Sequence, residues 1–94
     1  MYVRVVRFTD VNAERIEALL ARIEESDGPP PGVNATGMQL LHDADQSTAV
    51  FVAYFASEDD LRGADEALRQ MDAGDTPGTR ASIDMCEVAI ERDA

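Results

Sequence analysis

The residues that could do chemistry are few and scattered. His42 is the only histidine and Cys86 the only cysteine. His42 is therefore the one side chain whose ordinary pKa lies near neutrality. As a general base it would need a concave, partly buried setting. Its place at a strand end, beside a turn containing Asp43 and Asp45, reads more simply as a solvent-facing hairpin position. Tyr54 offers a hydroxyl that could orient a ligand if the ring lies over a sheet beneath helices. Otherwise it fills the edge of a core with its hydroxyl on a polar partner or water. Arg4 and Arg7 fall on opposite faces of one strand. Whichever points inward is expected to pair with Asp84 or Glu87 of the last strand, or to hold a ligand carboxylate.

Met38, Met71, Met85, Phe8, Phe51 and Phe55 could line an apolar cavity; the same residues serve equally as plain core. Cys86 reads as a small buried hydrophobe, with no histidine or basic cluster beside it to lower its pKa. One histidine and one cysteine make no zinc spacing. The glycines form neither a dinucleotide nor a phosphate-loop fingerprint, and Asp43 with Asp45 lacks the rest of a calcium loop. No metal and no cofactor is implied.

The elements that must position these residues are organised around Thr48-Ala49-Val50-Phe51-Val52-Ala53-Tyr54-Phe55-Ala56. This run is β-branched and aromatic and too short for a membrane span, so it reads as a strand. Val50, Val52 and Tyr54 point one way, and Ala49, Phe51, Ala53 and Phe55 the other. Neither set is polar, so both faces of the strand need cover. Tyr2 to Thr9 reads as a first strand, followed by Asn12 as N-cap and a helix with Ile16, Leu19, Leu20 and Ile23 on one face. Pro29-Pro30-Pro31 is expected to act as a stiff connector.

A second strand over Thr36 to His42 leads through the turn Asp43–Ser47 into the central strand. Setting His42 opposite Thr48 would place Leu40 against Val50 and Met38 against Val52. Ser57 caps a second helix whose stripe is Leu61, Ala64, Leu68 and Met71, ending near Asp72. A last strand is expected from Arg80 to Glu91. The order βαββαβ gives an α+β, ferredoxin-like domain spanning residues 1–94, a four-stranded antiparallel sheet with two helices on one face. The other face would be a broad apolar patch, which a sheet-to-sheet homodimer would remove from water.

Composition bounds the partners. The chain has 94 residues, 45% of them hydrophobic and 29% charged, with a formal net charge of -11. That charge repels phosphate backbones and anionic lipid, so neither nucleic acid nor membrane is expected as a partner. A single cysteine permits no intrachain disulfide, which fits a reducing cytoplasm. Met1–Arg7 lacks the apolar core and cleavage site of a signal peptide.

In this element order the chain resembles the dimeric α+β barrel superfamily, most closely its antibiotic biosynthesis monooxygenase branch. The most local part of the resemblance is Val50-Phe51-Val52-Ala53-Tyr54-Phe55-Ala56-Ser57-Glu58, an apolar strand with an aromatic near its end running into a Ser-Glu helix start. The tryptophan often found where Phe55 stands, and the histidine often found about where Ala64 stands, are missing here. The resemblance implies a cofactor-free monooxygenase acting on a small aromatic. Tyr54 would orient the substrate, Arg4 or His42 would assist its ionisation, and Met38, Phe51, Phe55, Met71 and Met85 would line the pocket. The competing expectation is a non-catalytic homodimer that binds a small ligand or serves only as a scaffold, which the two departures favour.

Overall fold

The computed structural model describes residues 1–26, 28, 32–70 and 76–93. Its elements follow the order β1 (Tyr2–Thr9), α1 (Ala13–Glu25), β2 (Gly37–Asp43), β3 (Thr48–Phe55), α2 (Glu58–Arg69) and β4 (Thr79–Glu87). The four strands form one antiparallel sheet in the order β2-β3-β1-β4. Each strand-helix-strand crossover thus leaves room for one strand between the two it joins, β3 in the first and β1 in the second. The fold is a small α+β sandwich compatible with a ferredoxin-like arrangement.

Both helices start on caps that the sequence supplies. Asn12 accepts a hydrogen bond from the Arg15 amide at 2.8 Å, and Val11 packs in the same cluster as Ile16 four positions into the helix, which fixes the entry angle of the chain. Ser57 accepts from the Asp60 amide at 3.1 Å, with Glu58, Asp59 and Asp60 at the positive end of the α2 dipole. α2 ends at Arg69, and the last expected stripe residue, Met71, lies outside the described residues, as do the prolines at 29–31.

The helices cover the same sheet face. Ile16 of α1 packs with Val6 and Phe8 of β1 and Ala49 of β3, while Leu61 and Ala64 of α2 pack with Ala53 and Phe55. These strand residues are even-numbered on β1 and odd-numbered on β3, and the register Val6↔Phe51 puts them on one side. The opposite face carries Val3, Val5, Val50, Val52 and Tyr54 with no described helix against it.

Three expectations change. His42 stands opposite Ala49 rather than Thr48, because Asp43 itself pairs with Thr48 and closes a shorter loop. That loop is held by the Asp43 carboxylate, which accepts from the Gln46 amide at 3.3 Å and its side-chain Nε2 at 2.9 Å, and by Ser47 in the left-handed region at φ 54. A one-residue slip turns every side chain over, so Met38 and Leu40 lie on the helix-covered face beside Ala53 and Phe51, not with Val50 and Val52. β4 stops at Glu87, well short of Glu91. Cys86 is exposed rather than buried, because β4 is an edge strand and Cys86 pairs with Val3 on the uncovered face.

Candidate functional site

The most unusual chemistry in the molecule lies beneath α2. Arg4 is 3% exposed on the helix-covered face of β1, a central strand flanked by Ala53 and Met85. A charge taken out of water needs a partner. Asp65 supplies it from α2: its Oδ1 accepts from Arg4 Nε at 3.1 Å, and its Oδ2 accepts from Arg69 Nε at 2.8 Å. Asp65 is itself 9% exposed. It lies one turn beyond Leu61, so the packing of the α2 stripe carries it onto the sheet, while Arg69 reaches it from one turn further along the helix.

Burial, foremost, pulls the Arg4 guanidinium below its ordinary pKa; the hydrogen bond and charge of Asp65 pull it back up, and the charges of Arg80 and Arg69 lower it. It stays a cation at any physiological pH. Burial alone would raise the Asp65 carboxyl, but the hydrogen bonds from Arg69 and Arg4 outweigh it and hold the group below the usual carboxylate value. Two guanidinium groups therefore share one carboxylate, while Arg80 bears on Arg4 through its charge; among the described residues the buried Arg4 Nη2 has no hydrogen-bond partner. Positive charge is concentrated here in a chain whose net charge is -11.

Beside this cluster an open cleft of about 240 Å³ runs between the edge of the sheet and the first turns of α2. Its walls are Tyr2 of β1, Met85, Cys86 and Glu87 of β4, and Glu58, Leu61 and Arg62 of α2. Arg62 donates to Glu58 Oε1 from Nε at 3.0 Å and Nη2 at 2.7 Å, so Glu58 carries its own counter-charge.

The residues singled out from the sequence do not converge on one site. Arg4 is inward, as one of the two strand arginines was expected to be, but its partner is Asp65 and not Asp84 or Glu87. Asp84 sits opposite Val5 on the other face. Tyr54 lies on the uncovered face rather than beneath the helices, and its hydroxyl donates to Gln39 Oε1 at 3.0 Å. His42 is exposed at the end of β2. Arg4, Tyr54 and His42 thus occupy the interior, the bare face and the hairpin end. Of the five expected pocket residues, Met85 lines the cleft, Phe55 is fully buried core, Phe51 is half-buried between the two core clusters, and Met38 is exposed on β2. Met71 lies outside the described residues.

Sequence reasoning missed Asp65, Arg69 and Arg80. A signal for the first two existed: a carboxylate one turn from Leu61 on an apolar stripe, with an arginine four residues on. Among the described residues no group of three His, Cys, Asp or Glu side chains is placed to hold a metal ion. No described helix is long and apolar enough to cross a membrane.

The class defined here is a four-stranded α+β sandwich with a buried arginine-carboxylate cluster. Compared with protein-family models, with curated proteins and with solved structures, the chain finds no match. The monooxygenase branch that the central strand resembles is therefore not supported by a family match.

Proposed function

We propose that this protein works as a non-catalytic homodimer in which two copies pack sheet to sheet. The observation that carries this reading is the bare face of the sheet. Val3 and Val5 of β1 lie directly beside Tyr54 and Val52 of β3, with Val50 next along and Leu41 of β2 52% exposed beside it. Arg7, Asp84, Ser82, Gln39 and Asp43 surround this stripe. An apolar centre within a polar rim is the anatomy of a protein interface.

The surface area agrees. A folded monomer of 10.2 kDa exposes about 5,300 Å² on the usual scaling, whereas this chain exposes 6354 Å². The surplus, about 1,000 Å², is near the roughly 800 Å² that each partner buries in a standard interface. The extended run after β4, where Ile90 is 75% exposed, contributes to it together with the sheet. Catalysis by a cofactor-free monooxygenase mechanism gains no support from the geometry, since its three candidate groups face three different environments.

Val52 is the residue to test, at the centre of the stripe between Val5 and Gln39. Sedimentation velocity of the full chain is expected to give a dimer at micromolar concentration. Val52→Glu should sediment as a monomer while keeping its far-ultraviolet circular dichroism. A wild-type monomer at several hundred micromolar would refute the reading.

A further inference from the structure

The helices do not cover the sheet evenly. α2 lies over β1 and β3, and β4 at the edge is left largely without a helix above it. Met85 is 42% exposed although it stands beside Arg4 on the helix-covered side. The cleft of about 240 Å³ occupies the step between α2 and this edge. Leu61, 4% exposed, is the one buried residue of its lining, and Tyr2 packs against the same core cluster. Glu87 stands directly opposite Tyr2 in the β1–β4 ladder, so its side chain and the tyrosine ring rise on one face from Cβ atoms roughly 5 Å apart. An aromatic ring and a carboxylate beside apolar side chains are what an organic cation needs: a π-face and a counter-ion for its charge, and an apolar surface for its hydrocarbon.

The charges at the cleft decide the sign of its ligand. Two carboxylates, Glu58 and Glu87, and one guanidinium, Arg62, line it, a net of one negative charge. Arg62 donates from Nε and Nη2 to Glu58, so that pair cancels and Glu87 supplies the net charge. The positive end of the α2 dipole, about half an elementary charge, is outweighed by Glu58, Asp59 and Asp60 in the same turn. Arg4 and Asp65 offset each other in direct contact, and Arg69 lies seven residues beyond Arg62, about 10 Å further along the helix. At longer range the chain's net charge of -11 attracts cations and repels anions. We propose that the cleft binds a small organic monoammonium ion, its nitrogen between the Glu87 carboxylate and the Tyr2 ring and its apolar body against Leu61 and Met85. The volume limits the ligand to a single ring or a short chain, since it falls below the roughly 300–1,000 Å³ of sites for drug-sized molecules. The site lies on the helix side of the sheet, away from the face proposed for self-association.

The test uses the full chain at neutral pH and constant ionic strength, with benzylamine as probe and benzyl alcohol as its uncharged match. Isothermal titration should show saturable benzylamine binding with a dissociation constant of about a millimolar or below. Benzyl alcohol should bind at least about tenfold more weakly, because it brings no charge to Glu87. The Met85 methyl and Tyr2 ring resonances should shift during the benzylamine titration. Glu87→Gln should weaken benzylamine about tenfold and leave benzyl alcohol unchanged. Tyr2→Leu, which keeps an apolar side chain, should weaken benzylamine about two- to fivefold, the scale of a cation–π contact at an exposed site. Glu66→Gln removes the same charge from an exposed position of α2 outside the cleft and should leave the affinity as in wild type. No saturable binding, equal affinity for the two probes, unchanged affinity in Glu87→Gln or Tyr2→Leu, or an equal loss in Glu66→Gln would overturn the proposal. Val52→Glu should bind benzylamine like wild type, so this proposal and the dimer stand or fall separately.

Discussion

Asp65 ties α2 to β1 through Arg4 and pairs with Arg69 on its own helix. Two arginines depend on it, but unequally: Arg4 is buried, whereas the Arg69 side chain is 53% exposed. Truncating an exposed ion pair costs at most about 1 kcal/mol, whereas stranding a buried charge costs about 3–5 kcal/mol. Asp65→Asn is therefore expected to destabilise by about 3 kcal/mol in urea unfolding, at the lower end because the amide oxygen can still accept from Arg4. Arg69→Gln should cost well under about 1 kcal/mol in the same measurement. The pH dependence follows from the depressed Asp65 pKa. Below the ordinary carboxylate value of about 4 the unfolded chain takes up the proton before the folded one, so stability rises with pH in that range. The contribution is fully present above that value and is lost as pH falls through the lower folded pKa. Unfolding followed between pH 5 and 2 should show a steeper loss in wild type than in Asp65→Asn.

At the level of elements, the turns decide what the strands present. The hairpin between β2 and β3 is set by Asp43 and Ser47, and one residue of difference in that loop puts Met38 and Leu40 beside Ala53 and Phe51 instead of Val52 and Val50. The other critical junction joins the end of β1 to the start of β4. Gly78 lies so close to this turn that a Cβ would collide with the carbonyl oxygen of Thr9 and come within 3.0 Å of Val11 Cγ2. The Thr9 oxygen is backbone in a paired strand and cannot yield, so the strain must move β4 away from β1. Gly78→Ala is expected to lower stability by about 2 kcal/mol, the scale of an overpacked core. Hydrogen exchange should show faster opening of the β4 amides near Thr79 and Arg80 than of those near Met85. Uniform exchange along β4 would argue against the clash as the cause.

For the whole molecule, charge and apolar surface act against each other. In the proposed dimer each copy would carry a formal charge of -11, so bringing two together would concentrate like charge while the sheet faces leave water. At low ionic strength the repulsion acts over about 30 Å, and at physiological ionic strength over about 8 Å. Dimer dissociation measured by sedimentation should therefore weaken several-fold between about 10 and 150 mM salt, the dimer tightening as salt rises. Looser association with added salt would mean that charge pairs, not the valine stripe, hold the copies together.

Much of the architecture was legible in the chain alone, for a local reason. Caps, apolar stripes and the two-faced central strand are short-range features, so Asn12, Ser57, the bounds of β1 and the order of six elements could be read without coordinates. The sequence also showed that Arg4 and Arg7 must face opposite ways, since strand side chains alternate. What it did not determine was which face the helices would cover, which carboxylate Arg4 would meet, or where Tyr54 would lie. Those are decided by packing between residues far apart in the chain: Asp65 is 61 positions from Arg4 and reaches it only when α2 lies across β1. Periodicity specifies the face of an element but not its opposite number, and the pairing of a buried charge exists only once the layers have closed.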